Sequence, residues 1–153
     1  MTVRRHTTAG ADRVWEVLND GWSFAAWVVG SARIRSVDPQ WPSVGACFDH
    51  SVGLWPFLLD DHTCVLASEP RRELTLQARA APFGAATVTL RLHDDVDGGG
   101  CVIEMSEVAA SRPLRWLPHA VQAAIAWPRN RECTRRLALL AERAAGSSAK
   151  STS

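Results

Sequence analysis

Two periods organise the hydrophobic positions of the chain. Between residues 31 and 109, apolar and polar residues alternate: Leu74, Leu76 and Ala78 against Thr75, Gln77 and Arg79, then Val88, Leu90 and Leu92 against Thr87, Thr89 and Arg91. A period of two marks strands with one covered and one solvated face. Turn-forming clusters at Asp38-Pro39, Glu69-Pro70, Pro82 and Asp97-Gly98-Gly99-Gly100 divide the region into six strands, which predicts an antiparallel meander.

Outside this region the period is helical. Residues 2–8 suit a first strand, and Thr8 or Asp12 can cap a helix that carries Val14, Trp15 and Leu18 on one face and stops near Asp20-Gly21. A second short helix, SFAAWVV, aligns Phe24, Trp27 and Val28 before Gly30 ends it. Val121, Ile125, Cys133, Leu137, Leu140 and Ala144 recur at close to helical spacing over about seven turns, which predicts a long final helix laid across the covered face of the sheet. Pro128 lacks a backbone donor and is expected to kink that helix, or to divide a loose leading part (Leu117 to Trp127) from a firm one starting near Arg129. GSSAKSTS, after residue 145, reads as a disordered tail behind a single domain of residues 1–145. The fold class is α+β.

Composition fits this picture. The 153 residues are 46% hydrophobic and 22% charged, a globular balance. A domain of this size buries roughly 70% of its unfolded surface, so folding needs neither metal nor disulfide. A net charge of +1 from 17 basic and 16 acidic residues leaves no basic footprint for nucleic acid. All basic residues but Lys150 are Arg and Tyr is absent, the mark of GC-rich coding. Cys47, Cys64, Cys101 and Cys133 are scattered without metal-ligand spacing and read as buried free thiols. The N-terminus has no apolar leader segment, and no run approaches the roughly 18 apolar residues of a membrane span, so a cytoplasmic protein is expected.

The element order β-α-α-β6-α resembles the START-like, or SRPBCC, superfamily, in the manner of an actinobacterial-type polyketide cyclase/dehydrase-like member. The residues that carry the resemblance are Val14-Trp15 with Leu18 and Asp20, Trp27, WPSVG (41–45), His50, Gly53 and Pro56. Further along come Glu69-Pro70, Leu74-Thr75-Leu76, Glu107 and RNRECTRRLALLAER (129–143). These cover nearly the whole chain. The resemblance implies a helix-grip fold, a seven-stranded curved antiparallel sheet wrapped around a long C-terminal helix with a deep cavity between them. It also implies polyketide cyclases, aromatases or carriers of lipids and hormones as functional classes, and fold analogy does not choose among them.

Candidate chemistry follows from strand parity. With Phe48 and Val52 inward, His50 shares their face and can hydrogen-bond or exchange a proton with a ligand, or pair with a neighbouring hydroxyl or carboxylate as a core histidine. With Ile103 and Met105 inward, Glu107 also points in, to a ligand or to an ion pair with Arg129 or Arg131 on the final helix. Together His50 and Glu107 form a candidate acid-base pair. GLWPFLLDD (53–61) reads as an apolar connection, with Trp55 and Phe57 either forming a lid or folding under the loop; Asp60 and Asp61 read as a solvated turn. Trp15, Trp27, Trp41, Trp116 and Trp127 can supply flat apolar walls. Trp116 and Trp127 are the better pocket candidates, and Trp15 reads as packing between helix and sheet. Phe48, Leu76, Leu90 and Met105 complete the expected ligand-facing set.

No nucleophile elbow, phosphate-binding glycine loop or zinc motif is present, so no cofactor or metal is implied. Two functions remain: sequestration or transport of a small hydrophobic molecule such as a polyketide or lipid, and a cyclase, aromatase or dehydratase using His50 or Glu107. A third reading makes the apolar connection and the helix a homodimer surface.

Overall fold

Strand β1 (Thr2–Thr7) is followed by helix α1 (Ala11–Asn19), a 3-10 turn (Gly21–Ser23) and helix α2 (Phe24–Trp27). Six strands come next: β2 (Ser31–Val37), β3 (Cys47–Leu54), β4 (Phe57–Glu69), β5 (Glu73–Ala80), β6 (Gly84–Asp94) and β7 (Cys101–Ala109). Helix α3 (His119–Lys150) ends the chain. The computed structural model describes residues 1–54, 57–80, 84–95, 99–110, 116 and 118–150. All seven strands form one antiparallel sheet in the order β1-β7-β6-β5-β4-β3-β2, so β2 to β7 run as a meander and β1 returns to pair with β7.

Register decides what each strand offers the core. Leu74 faces Leu90, Leu76 faces Val88, Leu90 faces Met105 and Leu92 faces Ile103 across neighbouring strands. The predicted apolar sets therefore merge into one continuous inner face, in which Leu74, Leu76, Leu90 and Ile103 are almost fully buried. Helix α1 adds Ala11, Val14 and Leu18 to the core, with Trp15 partly buried against it. From α3 come Cys133, Leu137, Ala138 and Ala141.

Two local constraints fix the chain path. Gly30, at φ 97°, takes a left-handed turn that L side chains rarely adopt, and ends the α2 segment ahead of β2. At Gly100 a Cβ would stand 2.2 Å from the Thr7 carbonyl oxygen, so only glycine allows the start of β7 to lie against the end of β1.

The structure corrects several expectations. Gly10 occupies the α1 N-cap without a side-chain bond, while Asp12 pairs with Arg71 at 3.1 Å and Thr7, not Thr8, receives the Ala9 amide at 3.2 Å. Residues 53–54 and 57–61 are strand, not connection: Leu54 pairs with Phe57, and Asp60 and Asp61 sit inside β4 opposite Ser51 and His50. α3 is one helix through Pro128, from His119 to Lys150. Its inner stripe is rotated from the expected one, for Val121 is exposed and Ala138 and Ala141 are buried. Cys47 and Cys64 lie directly opposite each other on β3 and β4 and form a disulfide, leaving Cys101 and Cys133 as buried free thiols. Their separation of 17 residues carries no signal until the hairpin register is known.

The seat of α3 on the sheet is anchored by Leu137, which has no exposed surface. Leu137→Ala should lower unfolding stability by about 2–5 kcal/mol, measured by chemical denaturation, because the close-packed surroundings cannot collapse onto the void.

Candidate functional site

Between the inner face of the sheet and the N-terminal half of α3 lies a cavity of about 320 Å³, partly open to solvent. The α2 segment supplies Phe24, Trp27 and Val28, the sheet supplies Val52, Leu76, Ala78, Ala86, Val88 and Met105, and α3 closes it with Arg129, Asn130 and Cys133. The walls are mainly apolar, with polar groups gathered at two places.

The first is on β7 and α3. The Glu107 carboxylate accepts hydrogen bonds from the Arg129 guanidinium and, at 2.8 Å, from the Asn130 side-chain amide, which is itself fully buried. Arg129 also donates to Asn130 Oδ1 at 3.3 Å. This clamp ties α3 to the sheet through polar atoms, and of the two helix cations considered beforehand it uses Arg129. Arg131 instead stacks over Trp127, 5.2 Å from the ring centroid.

The second is on β3 and β4. Inward parity brings His50 beside Asp61, with Thr63 next along β4. His50 is 4% exposed, packs among Phe24 and Phe48, and places Nε2 3.0 Å from Thr63 Oγ1, while Nδ1 is buried without a partner. Burial pushes its pKa below the ordinary 6.5, against the attraction of Asp61. The imidazole is accordingly neutral near pH 7. Burial has the opposite sign for Asp61, pushing its carboxyl pKa upward. Cys133 accepts the Val29 amide at 3.3 Å, and burial raises its thiol pKa, so it has no thiolate character.

His50, Glu107, Trp27, Leu76 and Met105 therefore share one cavity. Four inter-strand steps separate β3 from β7, roughly 19 Å measured along the sheet. Glu107 is also already engaged by α3, and the immediate neighbour of His50 is Asp61. Phe48 and Leu90 are buried but do not line the cavity. Trp41 packs edge-on against Phe48 at 4.9 Å. Trp116 and Trp127 are 70% and 47% exposed, on the outer surface and not the cavity wall. Trp55 lies outside the described residues, as does the Phe57 side chain. Sequence reasoning missed Asp61; its parity with Thr63 and Val65 was the available signal, hidden by placing a turn at Asp60-Asp61, which lie inside β4.

No family model matches the sequence, and no curated protein matches it. Solved structures do. Protein NE0264 from Nitrosomonas europaea superposes with a TM-score of 0.70 at 16% identity, covering 95% of this chain and 96% of that one. The di-domain ARO/CYC StfQ from the steffimycin biosynthetic pathway gives 0.69 at 11% identity, covering 95% of this chain and 51% of StfQ. Ara h 8.0201 gives 0.64 at 10% identity, covering 92% and 95%. The chain shares their fold, a helix grip of a seven-stranded antiparallel sheet around a long C-terminal helix. In this fold the cavity described above lies between the gripping sheet and the gripped helix.

The neutral state of His50 has a consequence for stability. Because the folded pKa is depressed, the unfolded chain binds more protons between the folded value and 6.5, so stability is full above that window and is lost as pH falls through it. Chemical denaturation at about pH 7.5 and about pH 5 should show that His50→Gln loses less stability on acidification than wild type.

Proposed function

We propose that this chain binds a small hydrophobic molecule, polyketide-like or lipid-like, in the cavity between sheet and α3, and sequesters or carries it. One observation carries the reading: the inner face of an otherwise close-packed core opens into about 320 Å³ of mainly apolar space with a few polar groups. That is the low end of small-molecule site volumes, enough for a bicyclic or short acyl ligand. The likeness to StfQ, an ARO/CYC, and to DynU16, from the dynemicin biosynthetic locus, supports a polyketide-like ligand.

A second reading, a cyclase, aromatase or dehydratase, draws on His50, a neutral base buried in the cavity wall, and Glu107. The cavity would orient a flexible chain, and His50 would accept a proton. Glu107, held by Arg129 and Asn130, serves this reading as a positioning residue.

On location, no helix among the described residues is long and apolar enough to cross a membrane. The Cys47–Cys64 bridge is of a kind that persists most readily in oxidising surroundings.

The carrier reading is tested by filling the space. Ala86 lines the cavity, and Ala86→Phe should abolish the thermal stabilisation that a bound naphthalene-sized probe gives wild type, with the circular dichroism spectrum unchanged. Equal stabilisation of both proteins would place binding elsewhere. Mass spectrometry of denatured protein for a co-purified molecule supplies the natural ligand.

A further inference from the structure

The cavity holds two carboxyl groups in different electrical settings. Glu107 is matched by the Arg129 guanidinium. Asp61 is 7% exposed, and its hydrogen bond comes from the His62 backbone amide, 2.8 Å from Oδ1; no salt bridge reaches it among the described residues. Its neighbour Asp60 shows the contrast, pairing at 3.2 Å with Arg35 on the solvent side of the same strand. Beside Asp61, the buried Nδ1 of His50 and Oγ of Ser31 both lack partners. Register places these groups together: His50 opposite Asp61, and Ser31 opposite Val52, which shares the His50 face of β3.

Buried polar atoms without partners are uncommon and costly, typically about 1–3 kcal/mol each. Two such atoms, with the Asp61 carboxyl beside them on the cavity wall, mark the place where a ligand supplies the missing hydrogen bonds. Burial pushes the Asp61 carboxyl pKa up and the His50 pKa down, so the patch disfavours added charge. A ligand carboxylate placed there would face the Asp61 carboxyl. Arg79 touches the cavity only from an exposed position.

We propose that Asp61, with His50 and Ser31 beside it, is the internal hydrogen-bonding anchor of the cavity and selects uncharged ligands bearing a carbonyl or hydroxyl oxygen over carboxylates of the same size. This rests on the cavity being a ligand site, and it assigns Asp61 to accept from a ligand hydroxyl and Ser31 Oγ to donate to a ligand oxygen.

The experiment is a calorimetric titration, near neutral pH, with four probes on one ring system: naphthalene, 2-acetylnaphthalene, 2-naphthol and 2-naphthoate. The ketone and the naphthol should bind wild type about tenfold tighter than naphthoate, the worth of one buried hydrogen bond. Asp61→Ala should bring the naphthol down to the affinity of naphthalene, leaving naphthalene itself unchanged. Asp61→Asn, which keeps an acceptor oxygen, should restore most of the preference and also serves if the alanine variant does not fold. Naphthoate binding as tightly as the naphthol overturns the proposal, as does an Asp61→Ala protein with an unaltered naphthol-to-naphthalene ratio. If naphthalene and the other probes all fail to bind wild type, the ligand-site reading falls first and takes this proposal with it. Naphthalene binding without discrimination removes the proposal alone.

Discussion

One helix must cover the inner face of a seven-stranded sheet, and it does so unevenly. Along its C-terminal half α3 packs down through Leu137, Ala138 and Ala141, where side chains bury with almost no exposed surface. Apolar burial on this scale, about 1.5–3 kcal/mol for a side chain the size of leucine, is what holds the helix in place. Along the N-terminal half the link to the sheet is the polar clamp of Glu107, Arg129 and Asn130. A clamp of long side chains spaces helix from sheet where small apolar residues would draw them together. The cavity follows from that difference along a single element.

Within the cavity, burial sets the chemistry. The same removal of water lowers the pKa of His50 and raises that of Asp61, so both favour their uncharged forms. Glu107 reaches neutrality differently, through Arg129. Burial therefore works against added charge in the interior although titratable groups line it, an environment that favours an uncharged guest.

Much of the fold was legible because it rests on local periodicity. The alternation of Leu74 to Arg79 and of Thr87 to Leu92 needed no tertiary knowledge, and neither did the helical spacing that brought Cys133 and Leu137 to the core. What was not legible depends on register between distant segments. The Cys47–Cys64 bridge and the inward Asp61 both follow from the β3–β4 register, in which Leu54 pairs with Phe57. An apolar stretch ending in two aspartates resembles a loop with a solvated tip, and the Asp pair drew the turn to the wrong place. Trp116 and Trp127 misled for another reason: a large aromatic at helical spacing suits core and surface alike, and only the orientation of α3 decides. His50 and Glu107 were placed on the inner face by parity alone, and both line the cavity wall.

The central claim, that this cavity receives a ligand, has a direct reporter. The chain has two methionines, Met1 and Met105, and of these Met105 lines the cavity. With both methyl groups carbon-13 labelled, titration with 2-naphthol should shift the Met105 resonance progressively to saturation, with Met1 as the internal reference. A Met105 signal that stays in place while the probe demonstrably binds would put the ligand elsewhere and contradict the account.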